Sequence, residues 1–443
     1  MKRILACAAA LLILLPVMAL AETEMLFQYK TSIKPIAGTG YFTMASKEDN
    51  TLGLFRTNGQ QILPYGYAAV DYLGDDYFSA CKDMNALNGK ALVRSDGTQA
   101  GEMKYAGFTV FNRYWVAAYT VQEEQAAKGD VTINKVAYLY DQVDLYYFGN
   151  GTAELAASFT YDEYANAAVH GDYIAIQDRE GKVSVYDSAF QPVAVELKAF
   201  NSPMFAVKDY QIQSLLTGEI LADGYSEVKE TVLADRTLIQ ATHLYWDGTK
   251  LVDLLDMDGS PVMTGDYQIV TLTDRYAVVT DMDKNQGLFS LDEQKLIVPC
   301  VYTSIVAVKT DVDPYVHNGY VCVEKDGKYG FVSAATGEET VAPKYSKSVV
   351  TLIGCVLAYN NADGSMMLVA GDGTVTTVED AMAVATRGDG YLVAAKRNGF
   401  VGLVDWHGNE ILPFIHNKDI VVTDDSRAII RTSTGLQIDA LAR

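Results

Sequence analysis

The stretch DGKYGFVSAATGEETVAPKY, Asp326 to Tyr345, decides the fold. It holds a glycine turn, a short apolar run, a second turn, another run, and then Pro343 and Tyr345. Three other stretches keep the same order. In LGLFRTNGQQILPYGY (Leu52 to Tyr67) and VGLVDWHGNEILPF (Val401 to Phe414), Gly53, Gly59, Ile62, Leu63 and Pro64 match Gly402, Gly408, Ile411, Leu412 and Pro413 without a gap. QGLFSLDEQKLIVPCVY (Gln286 to Tyr302) fits with one extra residue between Gly287 and Pro299, and the opening stretch fits with two extra between Gly330 and Pro343. A pattern repeated this way is architectural and marks a repeat fold.

Weaker copies fill the gaps. Each opens on an aromatic residue and a small apolar run, as in YWVAAY at Tyr114, YIAI at Tyr173, YAVVT at Tyr276, YVCV at Tyr320 and YLVAA at Tyr391. Unit lengths cluster near ~36 residues in the C-terminal half. The runs are short and rich in Val, Ile, Leu, Tyr and Phe, as strands are. Thirteen Asp-Gly or Asn-Gly pairs punctuate them, among them Asn58-Gly59, Asp326-Gly327 and Asn398-Gly399. Such pairs tolerate the positive φ of tight hairpins. No later stretch carries a sustained helical period, so the chain is expected to be all-β and antiparallel. The unit from Tyr114 carries a polar insertion near 121–135, VQEEQAAKGDVTINK, read as a surface loop.

In YVCVEKD, Tyr320 and Cys322 face one way and Val321 and Val323 the other. Both faces are apolar, so sheets are expected to stack on both sides. The ends carry complementary half-units. RAIIRTSTGL (Arg427 to Leu436) aligns with YLVAAKRNGF (Tyr391 to Phe400) at an offset of 36, Gly435 over Gly399. EMLFQYKTSI (Glu24 to Ile33) resembles TVAPKYSKSV (Thr340 to Val349), Tyr29 over Tyr345. The architecture this predicts is a closed β-propeller of short antiparallel blades, one blade shared between the N- and C-termini, which removes exposed sheet edges. An open β-repeat array and two adjacent propellers are the alternatives.

Residues 1–21 read as a signal peptide: Lys2 and Arg3, an apolar Ala6–Leu15, and Ala19-Leu20-Ala21 as a small-x-small cleavage site, leaving one β-repeat domain over 22–443. Cys7 precedes the apolar core and is no lipoprotein cysteine. The chain is expected to be exported, then secreted, periplasmic or attached to the cell surface, with no membrane span. The formal charge is −21, from 56 acidic against 35 basic residues. That excludes nucleic acid, whose phosphates need a basic face, and anionic lipid. Cys81, Cys300, Cys322 and Cys355 form no CxxC pair and are expected to be small buried hydrophobes.

The four strong copies resemble the WG (KWG) repeats of bacterial exported and surface proteins, through Gly53, Gly287, Gly330 and Gly402 and the later Pro64, Pro299, Pro343 and Pro413. The name-giving tryptophan is replaced by Leu52, Gln286, Tyr329 or Val401, so the copies are degenerate. The resemblance implies a propeller-like repeat and an interaction role, and carries over no catalytic residue.

No GxSxG, HExxH, P-loop or CxxC motif is present, so no catalytic residue and no cofactor is expected. His170, His243, His317, His407 and His416 fall in different units and read as loop or surface residues. A weak calcium-loop candidate is Asp281, Asp283 and Asn285 with Asp292 at position 12, but Gln286 stands where that loop needs glycine. The sequon at Asn150 reads as a turn, and the aromatic run Tyr138 to Gly151 as strand packing or, alternatively, a sugar-stacking platform. The expected function is non-catalytic binding or scaffolding by a monomer, with a protein or glycan partner at the cell surface. An extracellular hydrolase with carboxylates in a propeller channel and a structural envelope component are the alternatives.

Overall fold

The computed structural model describes residues 23–27, 33–36, 39–133, 136–149, 152–308, 314–385, 391–396, 398–417, 420–422, 427–431 and 436–441; side chains are described outside 21–33 and, within strands, outside 123–138, 382–395 and a few positions near the C-terminus. These residues form strands, turns and bends, with no helix among them. The strands make eleven small antiparallel sheets. In chain order, sheets 1 to 10 span residues 33–67, 69–105, 107–160, 166–193, 205–223, 227–263, 268–302, 304–346, 351–378 and 381–416. Each is a meander of neighbouring strands, as short hairpin connections dictate. Sheet 5 has three strands, and the first strand of sheet 8 is split into Ser304–Ile305 and Val316–His317, both pairing with Tyr320–Lys325.

The repeat maps onto this plan. Gly53, Gly287, Gly330 and Gly402 all lie on the third strand of their sheet, and Pro64, Pro299, Pro343 and Pro413 all lie on the fourth. The ladder jumps at this point in every copy. Leu52 pairs with Tyr67 but Leu54 with Leu63. Gln286 pairs with Tyr302 but Leu288 with Val298. Tyr329 and Phe331 pair with Tyr345 and Val341, and Val401 and Leu403 with His416 and Leu412. The fourth strand thus bulges over the glycine, and the proline sits in the bulge, where no ladder N–H is required. A Cβ at Gly287 would come within 2.7 Å of the Val298 carbonyl oxygen and of Cys300 Sγ. At Gly402 it would meet the Leu412 carbonyl oxygen at 2.8 Å, and at Gly330 the Pro343 nitrogen at 2.7 Å. Close backbone approach, with no demand for positive φ, keeps these positions glycine.

Most Asp-Gly and Asn-Gly pairs work differently. The Asp or Asn carboxyl or amide oxygen accepts the backbone N–H two residues on, at 2.8–3.0 Å in the turns of Asn58, Asp96, Asp247, Asp258, Asp372 and Asn398, and only the glycine takes positive φ. Asn318-Gly319 and Asp326-Gly327 are two-residue turns with both residues at positive φ, the mirror-image turn that matches strand twist.

Consecutive sheets bury their faces against each other. Val321 and Val323 of Tyr320–Lys325 pack toward sheet 7, whereas Cys322 packs toward sheet 9. Shared apolar clusters join sheets 1 and 2, 2 and 3, 3 and 4, 4 through 6, and each later pair up to 9 and 10. Sheet 11 draws on both ends of the chain. Ile420–Val422, Arg427–Arg431 and Leu436–Ala440 supply three strands, and Thr23–Phe27 pairs antiparallel along the last of them. Sheet 11 packs on sheet 10 through Leu403, Leu412, Ala428 and Ile430. It also packs on sheet 1 through Ile429 and Ile438 against Phe42, Met44 and Phe55.

One expectation is corrected. The insertion near 121–135, expected as a loop, lies mostly within strands: Trp115–Ile133 and Val136–Tyr147 pair from Trp115 to Val121 and again from Val131 to Ile133, with register shifts around the Ala126–Tyr138 pair between them. Residues 1–21, read from the sequence as a signal peptide, together with Tyr29, Asn150 and Gly435, lie outside the described residues.

Replacing Gly287 by alanine should cost about 2–4 kcal/mol, because a carbonyl oxygen must be displaced. Gly107→Ala, whose Cβ would meet nothing within 4 Å, should change stability by less than about 0.5 kcal/mol. Urea melts of the two variants check the contrast.

Candidate functional site

A cavity of about 480 Å³ opens where turns of sheets 3, 4 and 6 meet. Asn112 and Tyr114 come from the first turn of sheet 3, Gly171 to Tyr173 from the first turn of sheet 4, and Leu233 to Thr237 from the first turn of sheet 6. Asp256 to Asp258 come from the last turn of sheet 6. First turns of other sheets gather at the same end. Tyr77 of sheet 2 donates to the Arg113 carbonyl of sheet 3 at 2.7 Å, and the Ala234 N–H donates to the Asp274 carboxylate of sheet 7 at 2.8 Å. Burial, and then repulsion from Asp274, hold the Asp75 carboxyl above its usual range.

The lining is acidic. Asp172, Asp235, Asp256 and Asp258 share the lining with one guanidinium, Arg236. Arg236 is shared: its Nε lies 3.9 Å from the Asp235 carboxylate, its Nη2 donates to Asp292 at 2.8 Å, and Arg275 donates to that second carboxylate at 3.2 Å. The Asp258 carboxylate caps its own turn through the Ser260 N–H. Tyr114 and Tyr173 add two half-buried rings.

A buried knot lies beneath. His170, 3% exposed, precedes Gly171 and pairs through Nδ1 with Glu230 of sheet 6. Its Nε2 lies 2.8 Å from the Phe200 carbonyl oxygen. The other Glu230 oxygen accepts the Met204 N–H. One ion pair therefore ties sheet 4, sheet 6 and the segment leading into sheet 5. Burial alone lowers a histidine's basicity, but the Glu230 carboxylate and the Phe200 carbonyl outweigh it and hold the imidazole above its usual range.

The calcium-loop residues do not assemble. Asp281 accepts the Asn285 N–H at 2.9 Å and closes its own hairpin turn. Asp292 lies past the other end of Gln286–Ser290, in the two arginine pairs. No cluster of three His, Cys, Asp or Glu suited to a metal occurs among the described residues. His170, His243 and His317 lie in three different sheets, whereas His407 and His416 share sheet 10, and two are corrected: His170 and His317 are buried. The aromatic run near Tyr138 to Gly151 is no exposed platform. Tyr140, Tyr146 and Phe148 are buried, and Tyr147 packs 4.7 Å from the Trp115 ring. Cys81, Cys322 and Cys355 are buried and in no disulfide; Cys300 is half-buried, its thiol pushed up to about 11 by burial and then by Asp281. The cavity carboxylates escaped the reading of the sequence. For Asp172 a signal was available, a charged residue just before the aromatic that opens a second strand, as in Asp76-Tyr77, Asp172-Tyr173 and Arg275-Tyr276; Asp235, Asp256 and Asp258 carry no such mark.

No known protein family and no curated protein matches the chain. Among solved structures, a eukaryotic initiation factor is 12% identical, with 84% of this chain and 94% of that one covered and a TM-score of 0.36. The computationally designed Ika8 protein is 13% identical (77% and 96% covered, TM-score 0.23). BamB from Moraxella catarrhalis is 13% identical (67% and 90% covered, TM-score 0.20). Overlaps this loose carry no inference. No helix among the described residues is long and apolar enough to cross a membrane.

The His170–Glu230 pair makes stability depend on pH. A folded pKa above the unfolded value gives stability that is complete below about pH 6.5 and lost as pH rises through the folded value. The melting temperature should fall as the solution is taken from pH 6 to pH 9. Glu230→Gln should start lower at pH 6 and show a flatter decline; parallel wild-type and variant curves would remove the pair's role.

Proposed function

We propose that the eleven sheets close into one β-propeller-like ring of degenerate WG-type repeats, and that this ring is an exported, monomeric, non-catalytic binding or scaffolding protein. Three features support closure: the pairing of Thr23–Phe27 with Leu436–Ala440, the packing of sheet 11 on both sheet 10 and sheet 1, and the gathering of first turns from sheets 2, 3, 4, 6 and 7 at one end. Export rests on residues 1–21.

The observation that carries the binding role is the acidic, aromatic-rimmed cavity. Its volume lies within the usual ligand-site range of roughly 300–1,000 Å³. Four carboxylates against one guanidinium, itself shared between Asp235 and Asp292, leave a net negative potential. Such a site attracts a cation, and tyrosine rings add cation–π attraction. The favoured ligand is a lysine or arginine side chain presented by a protein partner. The same aspartates keep a channel hydrolase as the competing reading.

Titration of the mature chain with lysine- and arginine-containing peptides should give binding that weakens steeply with salt. Asp172→Asn with Asp256→Asn should reduce it about 10-fold or more while the melting temperature holds. Release of reducing ends from a polysaccharide, abolished by the same substitutions, would favour the hydrolase. Absence of both would refute the cavity as a functional site.

A further inference from the structure

The end of sheet 6 away from the cavity carries a different surface. Thr237–Leu244 starts at the cavity with Thr237 and finishes at Leu244, where the turn to Lys250–Leu255 exposes Tyr245 and leaves Trp246 97% exposed. The hairpin turn of sheet 5 arrives at the same end. The Tyr210 carbonyl accepts the N–H groups of Gly224 and Tyr225 at 2.7 and 3.0 Å, and the Gly224 carbonyl contacts His243 Nδ1 at 2.8 Å, one residue before Leu244. His243 also stacks on Tyr225, centroids 4.2 Å apart, so the backbone beneath these turns is fixed.

Tyr210 pays a conformational cost to be there. Asp209 and Tyr210 form a two-residue turn with φ of 51° and 63°. Asn318-Gly319 and Asp326-Gly327 fill equivalent turns with glycine at the second position. A bulky residue in this left-handed region is strained. Its ring recovers little packing, since Tyr210 is 68% exposed. An uncompensated strain under an exposed ring points to a role for the ring itself.

We propose that Tyr210, Tyr245 and Trp246 form a stacking edge for a neutral polysaccharide. Asp209 and Asp247 are the chain neighbours of Tyr210 and Trp246, and Asp223 ends the adjoining strand Ile220–Asp223; Asp223 accepts from the Gln211 amide at 2.7 Å and Asp247 from the Thr249 N–H at 2.9 Å. Carboxylates so close oppose a dry protein interface, whose core excludes water and is depleted in charge. Sugar rings suit the combination: their C–H faces stack on aromatic faces, and their hydroxyls donate to carboxylates without leaving water. The same carboxylates repel acidic glycans, which makes the polymer neutral. The edge is separate from the cavity and stands whether or not the cavity takes a cation.

Affinity electrophoresis of the mature chain through gels containing soluble glucan, xylan, mannan or an anionic uronan tests this. At least one neutral polymer should retard the protein and the uronan should not. Trp246→Ala should weaken retardation about 10-fold, as loss of an aromatic stacking partner does. Tyr210→Gly should weaken retardation and yet raise the melting temperature by about 1–2 °C, because strain is relieved. A merely structural tyrosine would not move the two readouts in opposite directions. Asp172→Asn with Asp256→Asn should leave retardation unchanged. No retardation by any neutral polymer, or retardation that Trp246→Ala leaves intact, overturns the proposal.

Discussion

A strand that is apolar on both faces needs a sheet on each side of it. Val321, Cys322 and Val323 illustrate the constraint, since alternate residues of one strand enter different clusters with different neighbouring sheets. Applied to every sheet, it leaves none that tolerates an open face. Sheet 1 meets it with sheet 11: Phe42, Met44 and Phe55 are covered by Ile429 and Ile438. At about 1.5–3 kcal/mol for each large apolar side chain buried, uncovering these five would cost on the order of 10 kcal/mol, comparable to the whole stability of a typical domain. The contact between first and last sheets is therefore a requirement of the pattern, and the N-terminal strand fixes it by pairing along Leu436–Ala440.

The repeat glycines serve the same constraint from within. A fourth strand that bulges over Gly53, Gly287, Gly330 or Gly402 brings its carbonyls where a Cβ would sit, so the outer strand bends back over its sheet. The proline that follows spends no ladder hydrogen bond. Sheet 2 shows a variant: Ala91 occupies the glycine position, and its partner strand accommodates the bulge with Gly101 at positive φ.

Much of this was legible in the residues. Gly-x-x runs, Asp-Gly turns and the later proline have physical causes a few residues away, so the strands and turns of the four strong copies follow from the sequence. The half-units at the ends were legible for the same reason: Arg427–Arg431 keeps the pattern of a second strand and Thr23–Phe27 that of a fourth. The long hairpin of sheet 3 was not, because polar residues in a paired strand look like loop when the partner is unknown. Nor was the cavity. Asp172, Asp235 and Asp256 come from different turns and meet only after sheets 3, 4 and 6 stack. The four aspartate and asparagine positions of a calcium loop, close in sequence, fall at opposite ends of a strand. Sequence spacing reports local hairpins faithfully and inter-sheet neighbours poorly.

The two ends of sheet 6 then divide the chemistry: carboxylates at the turn end that holds the cavity, and exposed aromatic rings where Leu244 ends its strand. Both depend on sheets being held in a fixed order, and that order depends on the joining of the chain's ends. The most direct measurement is a cross-strand disulfide between Leu26→Cys and Gln437→Cys, opposed in the ladder at a spacing that the bond tolerates. Peptide mapping of the oxidised variant should recover the 26–437 link in nearly all molecules, with unfolding shifted to higher urea. If the two thiols remain free under oxidising conditions, or couple only between molecules, the ends of the chain are not joined.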